Sequence, residues 1–259
     1  MTYARYTHSM IELKGVSKFY DSAHVLTDVS LGIGPGEFVC ITGPSGAGKS
    51  TLLHLLTGAE QVTKGSIEID GVDLRIVPPR ALQIFRRRLG IVFQDYKLLK
   101  NRTVAENIAF PLEVCGVPDA EIDTRVREVL QRVDLTKHAH TLPSSLSGGE
   151  KARTAIGRAI AHDPVILLAD EPTGNIDPDQ SVQIMNLFKE IHERGTTVII
   201  ATHDSGLVDV LKPRVIELRD GSITRDSVGG YSKENAKMQK TDLVKTSKNK
   251  KIKVTAVRS

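Results

Sequence analysis

The run Gly43-Pro44-Ser45-Gly46-Ala47-Gly48-Lys49-Ser50, followed by Thr51, has the spacing of a phosphate-binding loop. Its glycines let backbone N–H groups close around phosphate oxygens, and a helix starting there adds the positive end of its dipole. Lys49 is placed to reach the β and γ phosphates of a nucleotide, and the Ser50 hydroxyl to sit on Mg²⁺ with Thr51 beside it. The loop follows a short apolar run, Glu37-Phe-Val-Cys-Ile-Thr42. A strand before the loop and a helix after it separate this motif from a plain glycine turn.

A second apolar run, Val165-Ile-Leu-Leu-Ala169, ends in Asp170-Glu171. An aspartate at such a strand end holds the metal in phosphate-loop enzymes. A glutamate one position on can face the γ-phosphate and polarise an attacking water. Two adjacent carboxylates also occur as a helix cap or a solvated turn, and it is the phosphate loop in the same chain that favours the catalytic reading. Leu146-Ser147-Gly148-Gly149-Glu150 reads first as a capping box opening a helix,. The same helix start, with Ser147 and the N–H groups of Gly148 and Gly149, has the chemistry to receive an anion. Taken singly, Tyr20 reads as core and His203, just after an apolar strand, as structural.

The elements that must carry these groups alternate. Strands are expected from Ile11, over 37–42, over 66–70 with a turn at Asp70-Gly71, over 89–93, 165–169 and 196–202, and over 215–218 with an edge hairpin at Asp220-Gly221,. Helices are expected after the capping box Thr103-Val-Ala-Glu106, from Pro118 to Val133, and from Asp177-Pro178 to Gly195,. The pattern predicts an α/β fold, a mainly parallel sheet covered on both faces. A helical insert without strand signal spans about 96–161.

No apolar run approaches the eighteen or so residues that cross a bilayer, and residues 1–10 lack the apolar core of a secretory signal. Cys40 and Cys115 fit a reducing compartment and are expected to be buried small hydrophobes,. The net charge of +4 is unevenly spread. Residues 227–259 carry nine Lys/Arg against two acids, +7, which leaves −3 for the body. The overall pI is therefore no argument for nucleic-acid binding. The basic tail, with Tyr231 as its one aromatic, is expected to be disordered and solvated, with contact to anionic lipid as the second reading. Specific nucleic acid is not expected.

At Leu146–Glu150 the chain resembles the ABC ATPases, and the resemblance covers about residues 10–225. It implies a P-loop nucleotide-binding domain over 9–226, with an antiparallel β part beside the core sheet and the helical insert. It also implies ATP and Mg²⁺ as cofactors. Ser147 and Gly148–Glu150 would bind the γ-phosphate held by the loop of a second copy, in a homodimer closed by ATP. Glu150, Lys151 and Ala152 depart from the glutamines common there. By the same resemblance Tyr20 stacks on adenine, and Gln94 senses Mg²⁺ and the attacking water. Asn175-Ile-Asp177 links the two active sites, Glu171 orients the water, and His203 contacts the γ-phosphate.

The segments 95–107, 169–175 and 201–204 resemble the FtsE-type cell-division branch, with the LolD lipoprotein-export and MacB-type ATPases as the alternative. The branch implies an FtsX-like membrane partner docked on the Gln94 loop and helical insert, control of cell-wall hydrolases, and a peripheral place at the inner face of the cell membrane. Soluble ABC ATPases of DNA repair or translation fit poorly. Lys49 and Ser147 leave no room for a long coiled coil, and the chain has one cassette.

Overall fold

Burial on both faces fixes the central sheet. In a computed structural model, which describes residues 9–21 and 23–230, Phe38–Thr42 (β3), Ile166–Asp170 (β7) and Thr197–Ala201 (β8) are apolar almost throughout and nearly solvent-free. Their side chains alternate between two cores. Cys40, Leu167, Ala169, Val198 and Ile200 face one, while Val39, Ile41, Ile166, Leu168 and Ile199 face the other. That alternation is the period-2 rule operating on a sheet with no wet face. Truncating a fully buried residue here, such as Leu167 to Ala, should cost about 2–5 kcal/mol.

The full sheet has the order β10-β9-β3-β8-β7-β6, completed by Leu89–Val92 (β6) and the hairpin Arg214–Arg219 (β9) and Ser222–Val228 (β10). All neighbouring strands are parallel except that hairpin. A second, antiparallel sheet of order β2-β1-β4-β5 is built from Ile11–Tyr20 (β1), Ala23–Ile33 (β2), Lys64–Ile69 (β4) and Val72–Asp73 (β5). The expected α/β class, parallel core and hairpins at Asp70-Gly71 and Asp220-Gly221 are all present.

Helices Lys49–Leu56 (α1), Pro79–Arg86 (α2), Val104–Cys115 (α3), Asp119–Arg132 (α4), Gly148–Ile160 (α5), Pro178–Glu193 (α6) and Ser205–Leu211 (α7) cover the faces. The insert, α3 to α5 with two short 3-10 turns, packs its apolar stripes against the first core. Both predicted capping boxes form. Thr103 and Glu106 exchange bonds at the start of α3, and Ser147 and Glu150 at the start of α5.

Four expectations need correction. Ser227 and Val228, assigned to the tail, belong to β10, where Ser227 is buried opposite Val215; the rest of the tail, from 231 onward, lies outside the described residues, as do residues 1–8. Strand β6 ends at Val92, one residue short of the expected 89–93, so Gln94 lies two residues beyond it. Cys40 is buried, and burial pushes its thiol up to about 12. Cys115, by contrast, is only half-buried and lines a surface groove. Strand β2 was not anticipated, and the reason is visible: its buried residues Leu26 and Val29 are three apart, because Asp28 sits at φ 51° and breaks the alternation,.

Candidate nucleotide site

Strand register brings the chemistry together. Ile41 pairs with Ala201 and Ala201 pairs with Asp170, so β3, β8 and β7 end level. The segments leaving those three ends are Gly43–Ser50, Thr202–His203 and Glu171. Groups from three distant stretches of sequence thereby meet at the C-terminal edge of a parallel sheet, where such folds bind ligands.

The phosphate loop opens α1 in an unusual way. Gly48 caps the helix at φ 99°, with no side chain bonded to the first-turn N–H groups and no acidic residue in that turn. A Cβ at Gly48 would come within 2.7 Å of Leu26 Cδ2 and 2.8 Å of the Val25 carbonyl oxygen. Only glycine fits the conformation and the contact together. The free N–H groups then point outward with the helix dipole behind them.

Lys49 is buried, and its Nζ donates to the carbonyls of Gly43 at 2.9 Å and Pro44 at 3.2 Å. It also lies 3.7 Å from Glu171 Oε1. On the other side of the carboxylate, His203 Nδ1 is 2.8 Å from Glu171 Oε2. A carboxylate only accepts, so Nδ1 carries the hydrogen and Nε2 faces away. Glu171 itself is at φ 45°, left-handed for a residue with a side chain, at a cost on the order of 1–2 kcal/mol,. Its N–H donates to Ala201 O at 2.8 Å, and its carbonyl accepts from Gly174 at 3.1 Å. Those bonds hold the turn that swings the carboxylate over the loop.

Asp170 stays in the strand, mostly buried. Burial raises its carboxyl above the ordinary range, with a bond from the Ser50 side chain working the other way. Its Oδ1 is buried without a hydrogen-bond partner. A buried carboxylate oxygen left open beside a hydroxyl is what Mg²⁺ requires when it is held by one carboxylate, a hydroxyl and substrate phosphates. The residues present therefore fit that ion.

A cavity of about 610 Å³ collects most of these positions: Pro44, Ser45, Gly46, Gly48, Lys49, Ser50, Thr51, Gln94, Glu171 and His203. Val25 of β2 also lines it, and nothing in the sequence marked that residue. Tyr20 does not line the cavity. It is 40% exposed, its hydroxyl is bonded to Glu60, and Lys18 Nζ lies 4.7 Å over its ring. Partial burial and the Glu60 carboxylate push the Tyr20 phenol up to about 12.

Ser147, Gly148, Gly149 and Glu150 lie outside the cavity, at the start of α5. Gly149 is pressed on the beginning of α6, where a Cβ would fall 1.9 Å from Gln180 Oε1. Asp177 caps α6 by accepting from Gln180 N at 2.9 Å. Asn175 Nδ2 donates to the Gln94 carbonyl at 3.4 Å, tying the loop before α6 to the loop after β6.

Two polar residues outside the motifs hold that second loop. Asn107, fully buried in α3, accepts from Leu99 N and donates to the carbonyls of Leu99, Arg102 and Thr103. Arg158 of α5 donates to the carbonyls of Tyr96 and Lys97, both of which have left-handed backbone. A buried Asn four residues after a helix cap is the one sequence signal that could have found Asn107.

Comparison with known proteins agrees with this geometry. Residues 26–174 match the family model described as ABC transporter. The chain is 47% identical over 222 residues to the cell division ATP-binding protein FtsE of Bacillus subtilis (strain 168), spanning 85% of this chain and 97% of that one. It is 42% identical over 215 residues to the FtsE of Escherichia coli (strain K12), with 83% and 97% covered. Among solved structures, a dimeric post-hydrolysis ATP-binding cassette bound to ADP and Pi superposes at a TM-score of 0.78 and 36% identity, covering 85% of this chain and 98% of that one. With its phosphate loop, strand-end carboxylates and capped Ser147 helix in one matching cassette, this chain belongs to the ABC transporter ATP-binding family.

Proposed function

We propose that the chain is the ATP-hydrolysing subunit of an FtsE-like membrane complex, driving an FtsX-like integral membrane partner in cell division and, through it, cell-wall hydrolases. The observation that carries the catalytic part is the Lys49–Glu171–His203 array at the mouth of the phosphate-loop cavity. Two copies close on two ATP molecules, with each phosphate loop facing the Ser147 helix of the other copy. The dimeric cassette relatives support that arrangement.

In each site the open N-terminus of α1 and Lys49 hold the phosphates. Ser50 and Asp170 would hold Mg²⁺, with Gln94 nearby, and the ion would supply positive charge to the transferring phosphoryl group,. Glu171, oriented by His203 and by its own turn, accepts a hydrogen bond from the attacking water. Once phosphate occupies the loop, Lys49 exchanges its carbonyl partners for phosphate oxygens. His203 is exposed and turns toward the γ-phosphate by releasing Glu171. Tyr20, bonded outside the cavity to Glu60, reaches adenine only by releasing that bond.

The partner reading rests on a groove of about 430 Å³ between α2, β6 and the insert. Phe93, Phe110 and Val114 lie partly exposed there, beside Leu99 in the loop that Asn107 clamps. An apolar groove flanked by a rigid loop suits a short helix from a membrane partner, and movement of Gln94 would link that helix to the γ-phosphate. No helix among the described residues is long and apolar enough to cross a membrane, so the groove supports a separate membrane subunit and a peripheral place at the inner face of the cell membrane. The tail's contact with anionic lipid remains part of the proposal and is tested by deleting 231–259, which leaves β10 whole.

The deciding experiment is capture of membrane partners by tagged Glu171→Gln protein with ATP and Mg²⁺, read by mass spectrometry, with Phe110→Asp as the groove control. Recovery of an FtsX-like protein, lost in Phe110→Asp, is the expected result. Recovery of a lipoprotein-export or MacB-type permease instead would transfer the chain to that branch with its catalytic residues unchanged.

A further inference from the structure

At the opposite ends of β7 and β8 from the nucleotide site lies a second cavity, of about 480 Å³, within the size range of small-ligand pockets. Three arginines line it. Arg125 and Arg132 are seven residues apart and so share one face of α4, and Arg194 ends α6. One carboxylate lines it, Asp163, and it is already bonded to Arg125. The rest of Arg125 is engaged as well: Nε donates to the Ala161 carbonyl at 2.8 Å, Nη1 to Glu128 at 3.2 Å and Nη2 to the Ile160 carbonyl at 3.5 Å. The other two guanidiniums are not matched. Among the described residues no carboxylate lies within ion-pair distance of Arg132 or Arg194, and Arg132 Nε is buried with no hydrogen-bond partner.

Water screens the exposed Arg194, but the buried Nε of Arg132 lacks an acceptor that an anion would supply,. Burial, then the guanidiniums of Arg194 and Arg125, hold Arg132 below the ordinary arginine range, against the weaker pull of Asp163 and Glu190. Convergent guanidiniums present planar forks of donors that match phosphate oxygens two at a time. Val165, partly exposed, adds an apolar patch to this mostly polar lining, over the buried Ile160 and Ile191. That surface suits a small organic group more than the extended backbone of a nucleic acid.

We propose that this cavity is a second anion site, which takes a small phosphate ester with its phosphate on Arg132 and Arg194 and its organic part against Val165. The site is distinct from the phosphate loop. Val165 precedes β7 at one end and Asp170 closes β7 at the other.

The test uses the full chain with ADP and no Mg²⁺, so that the phosphate loop is filled. Inorganic pyrophosphate and then glycerol 3-phosphate are titrated, following the arginine Nε–H resonances by NMR and the thermal midpoint. The Arg132 resonance is the one lost in Arg132→Met. The wild type should show a saturable shift of that resonance and a midpoint that rises with probe concentration. Arg132→Met should bind at least tenfold more weakly. It should also melt no lower than the wild type without probe, since it removes a half-buried guanidinium whose Nε has no partner,. If that variant fails to fold, Arg194→Gln, on an exposed helix end, should show the same loss. A wild-type shift that does not saturate, or equal binding by Arg194→Gln and the wild type, would overturn the proposal.

Discussion

The chain carries two glycine-rich helix starts, and they are built in opposite ways. At α1 the cap is a left-handed glycine with no side-chain bond and no acid in the first turn. At α5 Ser147 and Glu150 satisfy each other's backbone N–H groups, and Glu150 brings a negative charge into the first turn. An N-terminus with free donors is an anion site already formed. One closed by its own side chains is a stable helix end that must give up a bond before it binds anything. The difference suggests a division of labour: α1 holds nucleotide in the single chain, whereas α5 binds it only when dimer closure offsets the loss of the cap.

The strongest tests of that contrast lie on the α1 side. Glu171→Gln should keep ATP binding and cut turnover by about 10²–10⁴-fold, read by phosphate release beside nucleotide fluorescence. Undiminished turnover would remove Glu171 from its role. Gly48→Ala places a Cβ against Val25 and Leu26 in left-handed backbone. It should cost about 1–3 kcal/mol and abolish ADP binding to the monomer; a stable variant with normal affinity would show that the open cap is not what binds.

Changes at α5 should be smaller and should act through the dimer. Ser147→Ala removes one cap and should cost about 1 kcal/mol in chemical denaturation, with monomer ADP affinity unchanged. Glu150→Gln keeps a capping partner and removes the charge that the proposed dimer would bring against the second copy's phosphate. On the proposed dimer it should raise ATP-dependent dimerisation of the Glu171→Gln protein several-fold in sedimentation, a few-fold being about 1 kcal/mol.

The pH dependence of the α5 cap is the smallest effect. The backbone N–H of Ser147 holds the Glu150 carboxyl below its ordinary value of 4.5. A depressed acid contributes stability that is present above 4.5 and lost as pH falls through the lower folded value. The acid limb of Glu150→Gln unfolding should therefore be flatter than that of the wild type below pH 4.5.

The sequence by itself determined whatever is written in short windows. Gly43–Ser50 is legible because a phosphate cradle needs glycines at fixed offsets, and both capping boxes because the bonds span three residues. Strands β3, β7 and β8 are legible as unbroken apolar runs. Strand β2 was lost where Asp28 interrupts the period. Helix α2 was lost because its cap is Pro78, with no side-chain bond, and only Phe85 is buried on it. What the tertiary structure alone decided is who meets whom. Lys49 and Glu171 are 122 positions apart and come within 3.7 Å only because β3, β8 and β7 end level. Val25 in the nucleotide cavity, Asn107 under the loop after β6, and the Arg125–Arg132–Arg194 cluster follow from the same cause. Local conformation is set by neighbours along the chain, but a site is set by strand order and register, which depend on how two whole cores pack against one sheet.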